Sequence, residues 1–121
     1  MRKTKLITIL TLITLTTLSC ATFQTNAYKT LYISKSVYDT YMKIAADLYA
    51  QGKLTEEQKS TIINLGNNYT LAHNEAVSML KVALSTGSEE DKENYIKSLH
   101  LASSILSKII SIIQPLVEQQ K

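Results

Sequence analysis

Apolar residues recur at alternating intervals of three and four along three consecutive stretches of this chain, and that repeat constrains its fold more than any other feature. The first stretch carries Leu31, Tyr38, Tyr41, Ala45 and Leu48, widened by Tyr28, Met42 and Tyr49. The second carries Ile62, Leu65, Tyr69, Ala72, Ala76, Met79 and Ala83, with Ile63, Val77, Leu80 and Leu84 beside them. The third carries Tyr95, Leu99, Ala102, Leu106, Ile109, Ile113 and Leu116, flanked by Ile96, Ile105, Ile110, Ile112 and Val117. Such spacing puts one apolar stripe on each of three α-helices and leaves no room for the alternation of a half-buried strand.

The breaks between the stretches carry helix punctuation. Gly52 stands where a left-handed residue ends a helix without a Cβ penalty. Thr55 with Gln58 three positions on forms a capping box, and Glu56 and Glu57 fall in the first turn, where the helix dipole favours negative charge. Gly87 closes the second helix, Ser88 caps the third, and Glu89, Glu90 and Asp91 open it. Gly66, beside Asn67 and Asn68, is a weak spot of about 1 kcal/mol relative to Ala and predicts a local kink. Pro115 has no N–H to continue the ladder and predicts a kink or an end near Ile113. The expected helices are therefore about 28–51, 56–86 and 89–114. Short connections make successive helices antiparallel, and lengths of about 36 to 45 Å make the expected shape an elongated antiparallel three-helix bundle, all-α.

The residues before the first stripe have another character. Arg2, Lys3 and Lys5 are followed by an uncharged run from Leu6 to Leu18. At about 13 residues this run is shorter than the ~20 needed to span a bilayer and has the length of a signal-peptide core. The formal net charge of +3 has its origin here: of 13 Lys+Arg, these three are the excess, and the ten that remain balance the 10 Asp+Glu. The basic balance thus belongs to a targeting segment and leaves no electrostatic footprint for nucleic acid. Residues 21–27 are small and polar and read as a tether.

The segment Leu18-Ser19-Cys20 resembles the lipobox of bacterial lipoproteins, with the single Cys of the chain where acylation needs it. Leu18 stands one place closer to the Cys than is usual in that family, and Thr17 fills the Leu position. The resemblance implies a signal peptide over 1–19, a diacylglyceryl group on Cys20, a tether over 20–27 and a body over 28–121. Two or three acyl chains, at about 0.8 kcal/mol per buried methylene, make a durable anchor. An ordinary secretory signal cut after Ala21 or Ala27 is the alternative. Ala21 after the Cys differs from the Asp of the inner-membrane retention signal, so the implied address is the cell envelope, and in a Gram-negative host the outer membrane facing the periplasm. The run Ala45-Ala46-x-x-Tyr49-x-x-Gly52-Lys53-Leu54-Thr55-Glu56-Glu57-Gln58, with Tyr69, His73-Asn74 and Ala76, is similar to short helical, prophage-associated lipoproteins of uncharacterised role.

Candidate chemistry is sparse. One Cys excludes an intramolecular disulfide framework and a Cys-rich zinc site. His73 and His100 are isolated and read as boundary or surface residues rather than metal ligands. Ser78-Met79-Leu80-Lys81 spells the S-x-x-K of penicillin-interacting enzymes, yet the companion S-D-N and K-T-G motifs are absent. The acids Glu89, Glu90, Asp91 and Glu93 read as a solvated helix start, and the apolar third helix reads as a core helix rather than one lying on a membrane. No catalytic residue, metal or cofactor is expected beyond the covalent lipid on Cys20.

Five of the seven tyrosines, Tyr28, Tyr32, Tyr38, Tyr41 and Tyr49, fall in the first helix. Tyr32 projects off the stripe together with Ile33 and Val37, and Tyr is favoured at binding surfaces for its large area and polar tip. These three residues form a candidate partner surface. The expected function is that of a membrane-anchored, non-enzymatic lipoprotein that works by contact with an envelope protein. Phage or plasmid exclusion, envelope assembly, and carriage of a small apolar ligand between the helices are the alternatives.

Overall fold

The computed structural model describes the backbone of residues 2–119 and the side chains of residues 22–119. Three helices follow in order, α1 (Arg2–Ala50), α2 (Glu56–Thr86) and α3 (Glu89–Glu118), with no strand among the described residues. The chain divides into two compact units, Met1–Thr30 and Leu31–Lys121. In the first unit the Thr30 hydroxyl donates to the Asn26 carbonyl one turn back, at 2.8 Å, and Ala27 is buried. Cys20 lies outside the residues whose side chains are described. The second unit is an all-α three-helix bundle made from the rest of α1 with α2 and α3.

The helix ends are built as their residues dictate. Gly52 has φ 71°, the Lys53 N–H reaches the Leu48 carbonyl at 2.9 Å, and the Gly52 N–H reaches the Tyr49 carbonyl at 3.0 Å. That pair of bonds is the Schellman closure, and the chain then turns so that Leu54 is buried. Thr55 accepts from the Gln58 N–H at 3.0 Å while the Gln58 side chain accepts from the Thr55 N–H at 2.9 Å, completing the capping box. Gly87, at φ 67°, closes α2 through a single bond to the Ala83 carbonyl at 2.9 Å. Ser88 caps α3 by accepting from the Asp91 N–H at 3.1 Å and donating to the Asp91 carboxylate at 2.8 Å.

Hydrogen bonds between helices set the direction of the chain. Ser34, Tyr38 and Tyr49 of α1 meet Tyr69, Gly66 and Glu56 of α2 respectively, so position rises along one helix as it falls along the other. Tyr41 donates to Gln114, so the later part of α1 lies beside the C-terminal part of α3. The core holds Ala45 and Leu48 of α1, Ile62, Tyr69 and Ala72 of α2, and Ala102, Leu106, Ile109 and Ile113 of α3. Tyr69, Leu80, Ile109 and Ile113 are fully buried. Each such aliphatic side chain contributes about 1.5–3 kcal/mol on removal from water.

Several boundaries and positions differ from those expected. Residues 22–27, expected as a tether, are helical, because nothing between Ala21 and Tyr28 is a Gly or Pro to break the ladder. Pro115 does not end α3, which continues to Glu118. The carbonyl that Pro115 leaves without a helical partner is that of Ser111, an exposed residue open to solvent, and beyond it the ladder resumes with the Gln119 N–H on the Pro115 carbonyl at 3.1 Å. Gly66 does not interrupt α2, and Tyr28 and Tyr49 are half-exposed instead of widening the core. By length and composition α3 is apolar enough to cross a membrane. Within the bundle it buries Tyr95, Ala102, Ile105, Leu106, Ile109 and Ile113 and exposes Ser103, Ser104, Ser107 and Ser111.

The α3 cap makes stability depend on pH. Hydroxyl bonds from Thr86 and then Ser88 hold the Asp91 carboxyl below its ordinary range. A lowered folded-state pKa contributes stability that is complete above the unfolded value of about 3.9 and is lost as pH falls through the folded one. In thermal melts followed by circular dichroism, Asp91→Asn is expected to melt lower than the parent at pH 6. The gap should narrow as pH falls from about 4 towards 2; a gap independent of pH would remove the carboxylate from the account.

Candidate partner surface on the first helix

What turns one side of α1 outward is an aromatic seam on its other side. Tyr38 of α1 stacks on Tyr69 of α2 with ring centroids 4.2 Å apart and planes 19° from parallel. The Tyr69 hydroxyl pairs with that of Ser34 at 2.7 Å, and its ring meets His73 at 5.7 Å. His73 Nε2 lies 3.3 Å from the Leu31 carbonyl, so the histidine is a boundary residue held by the backbone, as its place beside the stripe implied. Burial pushes the Tyr69 hydroxyl above its ordinary pKa, so it stays neutral and available to Ser34. Among the described residues no buried side-chain nitrogen or oxygen is left without a partner.

Gly66 lies against the seam. The Tyr38 hydroxyl donates to the Gly66 carbonyl at 3.2 Å, and that carbonyl also receives the Thr70 hydroxyl at 3.0 Å. A Cβ at position 66 would meet Tyr38 Oη at 3.0 Å and Met42 Cε at 3.1 Å. The glycine that reads as a flaw in a helical sequence is therefore the seat of the Tyr38 and Met42 side-chain tips from α1.

With Leu31 and Tyr38 turned inward, Tyr32 and Ile33 must face out, and they are 75% and 50% exposed. They line a shallow depression of about 250 Å³ together with Ser36, Val37, Thr40 and Tyr41. Its lining carries no charge. Lys35 lies beside it on the same helix, 2.6 Å from Asp39, and that hydrogen bond raises the lysine pKa. The three candidate residues thus stand together, but not equally. Val37 is half-buried and packs against the core, so the freely available apolar area is that of Tyr32 and Ile33.

Two further apolar features escaped the sequence pattern. Leu71 and Leu101, 70% and 58% exposed, stand with Asn68, Ala72, Glu75 and Ile105 around an open groove between α2 and α3. They lie off their stripes, and only a helical wheel drawn for both helices in the correct pairing would have brought them together. The second is a more enclosed cleft where α1 turns into α2, lined by Met42, Ala45, Ala46, Tyr49, Leu54, Lys59, Ile62 and Ile63.

Reactive chemistry is not assembled in the same way. Among the described residues no group of three or more His, Cys, Asp or Glu is placed to hold a metal ion. His100 is exposed, as are Ser78 and Lys81 of the S-x-x-K pattern. Glu89 is solvated and pairs only loosely with Lys92 at 3.2 Å, which suits an acidic helix start.

Fold and surface together define a small all-α bundle with an uncharged aromatic–aliphatic face on its first helix. No family model, curated protein or solved structure matches the chain.

The seam yields a stability test. Gly66→Ala gains about 1 kcal/mol of helix propensity, which offsets the few tenths of an ångström by which Tyr38 and Met42 must move. Gly66→Leu has no such room and is expected to cost about 1–3 kcal/mol by denaturant unfolding. Equal stability of the two variants would show that the close approach is not needed.

Proposed function

We propose that the chain is a lipid-anchored, non-enzymatic module that works at a bacterial cell envelope by binding another protein through the Tyr32 face of α1. The observation that carries this reading is the exposure of Tyr32 and Ile33 side by side on an uncharged concave surface. A tyrosine three-quarters in water adds nothing to the bundle's own core, whereas on a partner it would bury a large area with few torsions to freeze. The anchor in this reading is Cys20, through the resemblance of Leu18-Ser19-Cys20 to a lipobox. A tethered module searches only a thin layer over the membrane, which raises its effective concentration for an envelope partner. Exclusion of a second phage or plasmid and assistance in envelope assembly are forms of this one activity and differ only in the partner.

Two measurements test the reading. Metabolic labelling with palmitate should tag the full chain and be lost in Cys20→Ala; label retained in that variant would refute the anchor. Tyr32→Ser combined with Ile33→Glu leaves the core-packed Val37 in place, so helicity and melting temperature should stay within a few degrees of the parent. In cells of the source bacterium the same double variant is expected to lose at least tenfold of its photocrosslinking to a single envelope protein. Undiminished crosslinking with the fold intact would move the binding surface elsewhere.

A further inference from the structure

The cleft at the α1–α2 turn has the chemistry of a small-molecule site, independent of the Tyr32 face. Ala45 and Ala46 leave room there, and Met42, Leu54, Ile62 and Ile63 supply an apolar lining around about 250 Å³. Taking a water's share of liquid volume as about 30 Å³, this is space for about eight water-sized groups, a chain of medium length. Tyr49 and Ile63 remain 40% and 46% exposed at this cleft, so apolar surface is left open that the protein itself does not cover. Lys59 is the charged group of the lining. Its Nζ stands 4.1 Å from the centre of the Tyr49 ring, and it forms no ion pair among the described residues. The nearby Glu56 carboxylate accepts from the Tyr49 hydroxyl at 3.0 Å, and Tyr49 and then Glu56 hold Lys59 in its charged form. An apolar cleft with one ammonium at its edge is complementary to a ligand with a hydrocarbon body and a single negative head.

We infer that this cleft binds a medium-chain monocarboxylate, its alkyl chain between Met42, Leu54 and Ile63 and its carboxylate on Lys59. Charge complementarity selects the acid over the corresponding alcohol, because the alcohol offers the ammonium no counter-charge.

The test uses the full chain and an octanoate analogue carrying a terminal diazirine. Irradiation followed by peptide mass spectrometry should place the label on the peptides that contain Met42, Leu54 or Ile63. Unlabelled octanoate should compete at least tenfold better than octanol. Lys59→Met should erase that preference and Lys59→Arg should keep it. Ile63→Trp, which fills the cleft from an exposed position, should abolish labelling with helicity unchanged. Equal competition by octanol, label spread over the Leu101 face of α3, or full labelling of Ile63→Trp would each overturn the inference. None of these outcomes touches residues 32–37, so the docking reading stands or falls separately.

Discussion

The seat that Gly66 offers to the Tyr38 and Met42 side chains is the contact on which the arrangement of α1 against α2 turns. Without a side chain there, Tyr38 lies flat on Tyr69 and reaches the α2 backbone with its hydroxyl. Tyr69 is then fully buried yet satisfied, because Ser34 supplies the polar partner that a buried hydroxyl requires. The register of α1 against α2 follows from those contacts, and so does the rotation of α1 about its axis. Between Tyr32 and Thr40, the exposed Tyr32, Ile33, Lys35, Ser36, Asp39 and Thr40 are what that rotation leaves outside.

The architecture divides its labour along α1. The inward stripe of Leu31, Ala45 and Leu48 is ordinary core, the tyrosines at its rim carry the polar links to α2 and α3, and the outward strip carries apolar groups that the bundle does not use. Rim tyrosines suit this role because one ring can bury its body while its hydroxyl reaches a neighbouring carbonyl or amide. This explains why so many tyrosines gather in one helix: Tyr38, Tyr41 and Tyr49 each bond a residue of another helix, and Tyr32 bonds none among the described contacts.

What could be read from residues alone was what is local. Gly52, Gly87, Thr55 with Gln58, and Ser88 all act within one turn of themselves, and each does what its chemistry requires. The stripes were legible for the same reason, since periodicity is a property of a single helix. What could not be read at Gly66 was its contact with Tyr38 and Met42, more than twenty positions away. Of the kink or end expected at Pro115, the end did not occur, because the cost of the missing bond depends on whether the freed carbonyl faces solvent. The exposed Leu71 and Leu101 and the cleft around Lys59 depend on how two helices face each other, which no single-helix pattern contains. Of the candidate surface, the pairing of Tyr32 with Ile33 was visible, and the half-burial of Val37 was not.

The two tight turns have a kinetic implication. Each is closed by its own backbone and side-chain bonds, between Leu48 and Gln58 and between Ala83 and Asp91, so the helices they join meet through contacts that begin close in sequence. Chains whose native neighbours are near along the backbone lose little entropy in reaching them, and helical bundles of this kind fold in microseconds to milliseconds. Such a molecule can build most of its shape from neighbouring helices, leaving links such as Tyr41 to Gln114 to join distant parts of the chain.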